Sequence, residues 1–162
     1  MLKIESWALN GLDSHVAGRL LLQQMYEEHT GNPQLPPIAK GERGKPHFVS
    51  DPLHFSITHT KTRVFCALSD VPVGIDAEDL TRAVAPALAD KILSPSERAI
   101  YDAADESEKN HILLRLWVMK EAAVKCSGTG LQGYPNKTDF RPDDPRITLR
   151  DGCILAVITE GE

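Results

Sequence analysis

Between Leu53 and Thr60 apolar and polar positions alternate, with Leu53, Phe55 and Ile57 on one parity and His54, Ser56 and Thr58 on the other. This period of two predicts a strand with one buried face, and His59 at its end falls on the buried parity. A Lys61-Thr62 turn and the run Arg63–Ser69 supply the second arm of a hairpin. A weaker alternation over Leu2–Leu9 reads as an edge strand. Further on, Val73, Ile75 and Ala77 occupy one face of a third strand, and Gly74, Asp76 and Glu78 the other. Arg146–Arg150 and Cys153–Thr159 are predicted strands joined by Asp151-Gly152, a two-residue hairpin signal.

Other stretches change to a helical period. Asp13 or Ser14 caps a helix ending near Thr30, with Val16, Ala17, Leu20, Leu21 and Met25 as its apolar stripe and Gly31 and Pro33 as stop signals. Pro86 opens a short helix through Ile92. Ser94-Pro95-Ser96-Glu97 is a capping box with proline at the first helical position, and its helix runs to about Ala104. The longest helix spans Glu106 to Ser127 and stops at Gly128, a residue suited to a left-handed cap. The prolines and glycines of residues 31–46 make that stretch a loop.

Hairpins alternating with helices predict an α+β fold. At 162 residues the chain holds one compact core or two small, packed halves. The division falls at 1–72 (helix plus β-hairpin) and 73–162 (acidic strand, long helix, terminal hairpin). Apolar and charged fractions of 41% and 25% are those of a globular protein. A net charge of −5 argues against a general nucleic-acid binder. Cys66, Cys126 and Cys153 form no CxxC pair and read as buried thiols in a reducing compartment. The start is no signal peptide and no apolar run approaches a membrane span, so the expected location is the cytoplasm, with no membrane partner.

Chemistry concentrates in two elements. On the third strand Asp76 and Glu78 aim at the same side, about 7 Å apart along the backbone. Such carboxylates repel unless a cation lies between them, and Gly74 leaves the neighbouring space open to a ligand or another backbone. On the long helix Trp117, Glu121 and Lys125 form one row. Alone, Glu121 and Lys125 would be a surface ion pair worth about 0.2–0.5 kcal/mol. With Glu121 as a third oxygen ligand, the strand carboxylates instead predict a Mg²⁺ site, because only hard oxygen donors are available. Taken singly, Lys45 is an ordinary loop lysine, His59 a hydrogen-bonded structural histidine and Arg19 a surface arginine.

The order of motifs changes those single readings. Gly44-Lys45-Pro46, Phe55-Ser56-Ile57-Thr58-His59-Thr60, Gly74-Ile75-Asp76-Ala77-Glu78, and Trp117 through Lys125 followed by Gly128-Thr129-Gly130-Leu131 together resemble the 4′-phosphopantetheinyl transferases. The likeness is to the pseudo-dimeric type that activates peptide and polyketide synthases, over roughly residues 14–135. It implies two similar α/β halves related by a pseudo-two-fold, with coenzyme A in the cleft between them. It also implies transfer of phosphopantetheine from coenzyme A to a serine of an acyl- or peptidyl-carrier protein, leaving adenosine 3′,5′-bisphosphate. By the same resemblance Asp76, Glu78 and Glu121 hold magnesium, and Glu121 also takes the serine proton. Lys125 serves the pyrophosphate, Lys45 and His59 contact coenzyme A phosphates, and Arg19 serves the same nucleotide. The expected enzyme is a monomer with holo-acyl-carrier-protein synthase activity, in fatty acid, polyketide or nonribosomal peptide biosynthesis.

The chain departs from the family pattern in places. It begins close to its first long helix, so an N-terminal piece of longer relatives is expected to be missing, along with basic residues that help hold the nucleotide. Ser56 stands for the usual asparagine of the histidine motif, Thr58 and Thr60 for its serines, and Ala77 for a larger aliphatic. Two other functions use the same residues. One is a non-catalytic module that binds coenzyme A or a carrier protein; the other is a metal-dependent hydrolase of coenzyme A-like pyrophosphates.

Overall fold

Asp13 accepts hydrogen bonds from the amides of His15 and Val16, and with this cap the first helix, α1 (Ser14–Thr30), begins; Gly31, at φ 75°, ends it. The computed structural model describes residues 1–128 and 135–161. Thr129, Gly130 and Leu131 of the glycine motif, and Gly133, lie outside the described residues. Ahead of α1 runs β1 (Leu2–Ala8), followed after it by β2 (Ile38–Lys40), β3 (Pro46–Phe48), β4 (His54–His59), β5 (Arg63–Ser69) and β6 (Val73–Asp79). Helices α2 (Ala87–Ile92), α3 (Pro95–Ala103) and α4 (Glu106–Ser127) come next. A 3-10 turn at Pro135–Lys137 and the strands β7 (Ile147–Arg150) and β8 (Cys153–Thr159) complete the described chain.

The architecture is mixed α/β, and every strand pairing among the described residues is antiparallel. One sheet has the order β1-β5-β4 and another β6-β8-β7, while β2 and β3 form a separate ribbon. Residues 31–46 are therefore not loop throughout, because Ile38 pairs with Phe48 and Ala39 with His47. That ribbon is too short to show a period, and its prolines and glycines mark only the turn within it.

Apolar side chains stack in tiers. Ala17, Leu21, Leu22 and Met25 of α1 pack on Phe55, Val64, Cys66 and Leu68. The opposite parity of β5, Phe65 and Ala67, meets Val73, Ile75 and Ala77 of β6 and Leu155 of β8. The other face of β8, Ile154, Ala156 and Ile158, lies under Leu114, Val118 and Ala122 of α4. Val16 and Leu20 are exposed, so the buried stripe of α1 is rotated from the expected one and runs through Gly18 and Tyr26. Gly18 allows this, since a Cβ there would stand 2.9 Å from Ile57.

Two local signals act as read. Ser94 and Glu97 form the capping box of α3, and Asp151 and Gly152 both take positive φ in the β7–β8 turn. Glu97 has a further task. Its carboxylate is buried against Lys120 at 2.9 Å and accepts the Phe140 amide at 2.7 Å. Lys120 also donates to the Thr138 carbonyl at 2.7 Å. The buried pair thereby anchors α4 to the N-terminus of α3 and to the segment before β7.

Among the described glycines the tightest surroundings are those of Gly74, where α4 passes β6. A Cβ at that position would lie 2.0 Å from the Ala122 carbonyl oxygen and 2.3 Å from the Cys126 amide nitrogen. Both are backbone atoms in a helix and cannot swing aside. Gly74→Ala should lower stability by about 3 kcal/mol or more, read from urea unfolding followed by circular dichroism. An unchanged midpoint would mean that α4 retreats from β6 without cost.

Candidate active site between a strand and the long helix

β4 and β6 each lie at the edge of their own sheet, and they meet through side chains. The Ile75 amide donates to Ser56 Oγ at 3.1 Å, and Thr58 Oγ1 donates to Asp76 Oδ1 at 3.1 Å. This explains why the polar parity of β4 is buried, with Ser56 and Thr58 each only 6% exposed. An edge strand lacks ladder partners on one side, and the hydroxyls of β4 supply them to β6.

Asp76 is the point of convergence. Its Oδ1 also accepts from Lys125 Nζ at 2.7 Å. The ion pair that Lys125 makes therefore runs across to β6 and not along α4, because Gly74 brings the helix so near that strand. Burial pushes the Asp76 carboxyl above the ordinary aspartate range, against the pull of Lys125 and Thr58 and with the help of the Glu78 charge. Glu121 is raised as well, by burial first and then by the Asp76 and Glu78 charges. The charges of Asp76 and Glu78 thus act on Glu121 across the space between β6 and α4. Glu78 has its own counterion in Arg82.

Among the described residues no three His, Cys, Asp or Glu side chains already form a metal-ligating cluster. The donor set still suits a magnesium ion, which keeps several waters and needs only one or two carboxylates beside substrate phosphates. Like charges pressed together at partial burial are also what a divalent cation relieves.

Two clefts open among neighbouring residues, and Asp76 itself lines neither. One of about 280 Å³ is lined by Lys125, Ser56 and the Arg43-Gly44-Lys45-Pro46 turn. Another of about 660 Å³ is lined by Glu78, Arg82, His59 and Lys61. His59, the last residue of β4, is exposed rather than on the buried side, although it is still paired with Val64 of β5. Its ring lies edge-on to His15 of α1, centroids 6.1 Å apart. Arg19 is one helical turn past His15 and so on the same face, but it borders a separate cleft with Gln23 and Gln34. Lys45 is half-buried with its ammonium engaged, donating to Cys126 O at 2.8 Å and Val73 O at 3.3 Å. That places a cation on the C-terminal carbonyls of α4, where the helix dipole favours it. Burial holds its pKa below the usual lysine value. Trp117 packs beside Ile92, Leu113 and Leu116, away from the charged groups.

The structure therefore brings together Asp76, Glu78, Glu121 and Lys125, sets His59 at the rim and Lys45 at the helix end, and leaves Arg19 outside. Residues 72–157 match the 4′-phosphopantetheinyl transferase superfamily. The chain belongs to that superfamily. The matched stretch contains all three carboxylates and Lys125 and extends through β7 into β8, beyond the motifs that suggested the likeness.

Curated relatives carry the family's name. This transferase-family chain is 39% identical over 116 residues to 4′-phosphopantetheinyl transferase AcpT of Escherichia coli (strain K12), covering 70% of this chain and 56% of that one. It is 36% identical over 91 residues to 4′-phosphopantetheinyl transferase Sfp of Bacillus subtilis (strain 168), covering 56% and 40%. A 4′-phosphopantetheinyl transferase of Bacillus pumilus is 30% identical over 136 residues, covering 82% and 58%. The chain spans about half the length of the curated relatives it matches. No helix among the described residues is long and apolar enough to cross a membrane.

Sequence alone did not single out Arg82, Ser56, Thr58 or the Lys120–Glu97 pair as parts of this arrangement. Ser56 and Thr58 alternate with apolar residues on β4 and so read as its polar face, whereas both are buried.

Glu121 allows a test without any ligand. Its raised pKa means that the folded protein holds the proton more tightly than the unfolded chain, so its ionisation costs stability as pH rises from the ordinary glutamate value through the raised one. Glu121→Gln should melt above the parent at pH 7, and the difference should close below about pH 4. A lower melting temperature at pH 7 would mean that the carboxylate stabilises the fold.

Proposed function

We propose that this chain catalyses Mg²⁺-dependent transfer of 4′-phosphopantetheine from coenzyme A to a serine of an acyl- or peptidyl-carrier protein, releasing adenosine 3′,5′-bisphosphate. The observation that carries this reading is the convergence of Asp76, Glu78 and Glu121 with Lys125 bonded to Asp76 Oδ1, inside the stretch that matches the superfamily. The two α/β halves, 1–72 and 73–162, are read as related by a pseudo-two-fold with coenzyme A between them. Support comes from the tiers: α1 packs on one sheet, α4 on the other, and the sheets face each other. The enzyme is read as a cytoplasmic monomer acting on carriers of fatty acid, polyketide or nonribosomal peptide synthesis.

Phosphoryl transfer depends on positioning and charge neutralisation more than on covalent chemistry with the protein. Asp76, Glu78 and Glu121 would hold the magnesium ion, which when bound neutralises charge on the pyrophosphate. Lys125 lines the smaller cleft and offers its ammonium to the same pyrophosphate. His59 stands at the rim of the larger cleft for a nucleotide phosphate. Lys45 reaches a phosphate only by giving up its two carbonyl partners, and Arg19 only from beyond the adjoining turn of α1. The serine oxygen attacks the phosphorus on the pantetheine side, and the phosphoanhydride bond breaks with its electron pair leaving on adenosine bisphosphate. Glu121, with its proton affinity raised, accepts the serine proton. Superfamily membership favours neither a hydrolase nor a non-catalytic module.

The test is direct. The protein, coenzyme A and Mg²⁺ are mixed with a panel of apo carrier proteins, and the carriers are weighed by mass spectrometry. One or more should gain a phosphopantetheine arm, and Asp76→Ala should remove the gain. Glu121→Gln should slow single-turnover transfer by about 10²–10⁴-fold while changing the coenzyme A dissociation constant little. Lys125→Ala should impair both, since the pyrophosphate is charged throughout. Transfer at the parental rate by Glu121→Gln would return the α4 row to an ion-pair role.

A further inference from the structure

The larger cleft contains two cations that the proposed reaction leaves unused, Lys61 and Arg82. Arg82 stands just past the end of β6, and its guanidinium Nη1 is bonded to Glu78 Oε1 while half the side chain remains exposed. The backbone beneath it is fixed. The Arg82 amide donates to the Asp79 carbonyl at 3.0 Å, and Asn110 Nδ2 of α4 donates to the Arg82 carbonyl at 2.9 Å. Only the side chain is left to move. The neighbouring carboxylate, Asp79, accepts from Thr62 Oγ1 at 2.9 Å and from the Lys61 amide at 3.3 Å. His59 and Lys61 line the same cleft of about 660 Å³, so Lys61 and Arg82 there stand against the two carboxylates Glu78 and Asp79.

We propose that Arg82 is a ligand-linked phosphate residue. In the free protein it masks Glu78; when a divalent cation takes Glu78, the guanidinium is released to a phosphate of coenzyme A in the cleft beside Lys61 and His59. The proposal rests on the metal reading above. Its physical basis is competition. A divalent cation on Glu78 takes up most of the charge that holds Arg82, so the ion pair weakens as the metal binds. A guanidinium loosened in this way turns to phosphate, whose oxygens match its planar fork. Coupling of this kind is reciprocal, so the phosphate ligand in turn strengthens metal binding through the same residue.

Mn²⁺ is the probe, with the full chain, and free ion is counted by electron paramagnetic resonance. Without coenzyme A, Arg82→Ala should bind Mn²⁺ about two- to fivefold tighter than the parent, as expected for removal of a partly exposed ion pair, and Arg82→Lys should fall between them. In chelator, calorimetry should give both proteins the same coenzyme A affinity. With Mn²⁺ present, Arg82→Ala should bind coenzyme A about ten- to a hundredfold more weakly. Asp76→Ala is the control for the metal site itself. If it loses Mn²⁺ while Arg82→Ala matches the parent, the metal site stands and Arg82 is only a surface ion pair. If the parent binds no Mn²⁺, or Asp76→Ala binds it equally well, the metal reading falls and takes this proposal with it. A loss of coenzyme A affinity in Arg82→Ala that is equal with and without Mn²⁺ also overturns the proposal, since Arg82 would then be unmasked from the start.

Discussion

A single carboxylate oxygen, Asp76 Oδ1, accepts one hydrogen bond from Thr58 on β4 and another from Lys125 on α4. Asp76 is 7% exposed, and a carboxylate taken that far out of water must find donors or a counter-charge. It finds both, one from each side of the seam. The position of Lys125 depends in turn on Gly74, two residues earlier on the same face of β6, which admits the α4 backbone to contact. Strand parity, helix approach and charge pairing are therefore one constraint.

The same constraint explains why the region is electrostatically unfavourable. Burial and mutual repulsion raise the proton affinities of Asp76 and Glu121 together. A fold selected only for stability has no use for that. The cost is carried by apolar tiers around it and by the Lys120–Glu97 pair, which sits one residue from Glu121 and fixes the rotation of α4. Removing one member of such a buried pair leaves the other uncompensated. Lys120 thus holds the helix from behind while Glu121 and Lys125 face the seam.

Features written in local sequence were legible. The bounds of α4, its left-handed Gly128 cap, the Ser94–Glu97 capping box and the Asp151-Gly152 turn each rest on neighbouring residues. The facing of Asp76 and Glu78 followed from strand parity alone. What escaped depends on partners distant in the chain. Lys125 could be assigned to its helix but not to Asp76, 49 positions away. Lys45 gave no sign that its ammonium would be taken up by the end of α4, 81 positions on. Val16 and Leu20 were placed inward because the helical period fixes a stripe only to within the width of one residue, and the sheet beneath selected its neighbour. His59 was placed inward by extending a parity to the last residue of the strand, which is exposed although still paired with Val64.

The central claim is that the charges at this seam serve a ligand rather than the fold. Asp76→Asn keeps the shape and one acceptor oxygen and removes the charge, so its melting temperature separates the two roles. Without ligand the variant should melt no lower than the parent, and adding coenzyme A with Mg²⁺ should raise the parent's melting temperature but not the variant's. An Asn variant that melts well below the parent, yet gains as much from coenzyme A and Mg²⁺, would contradict the account.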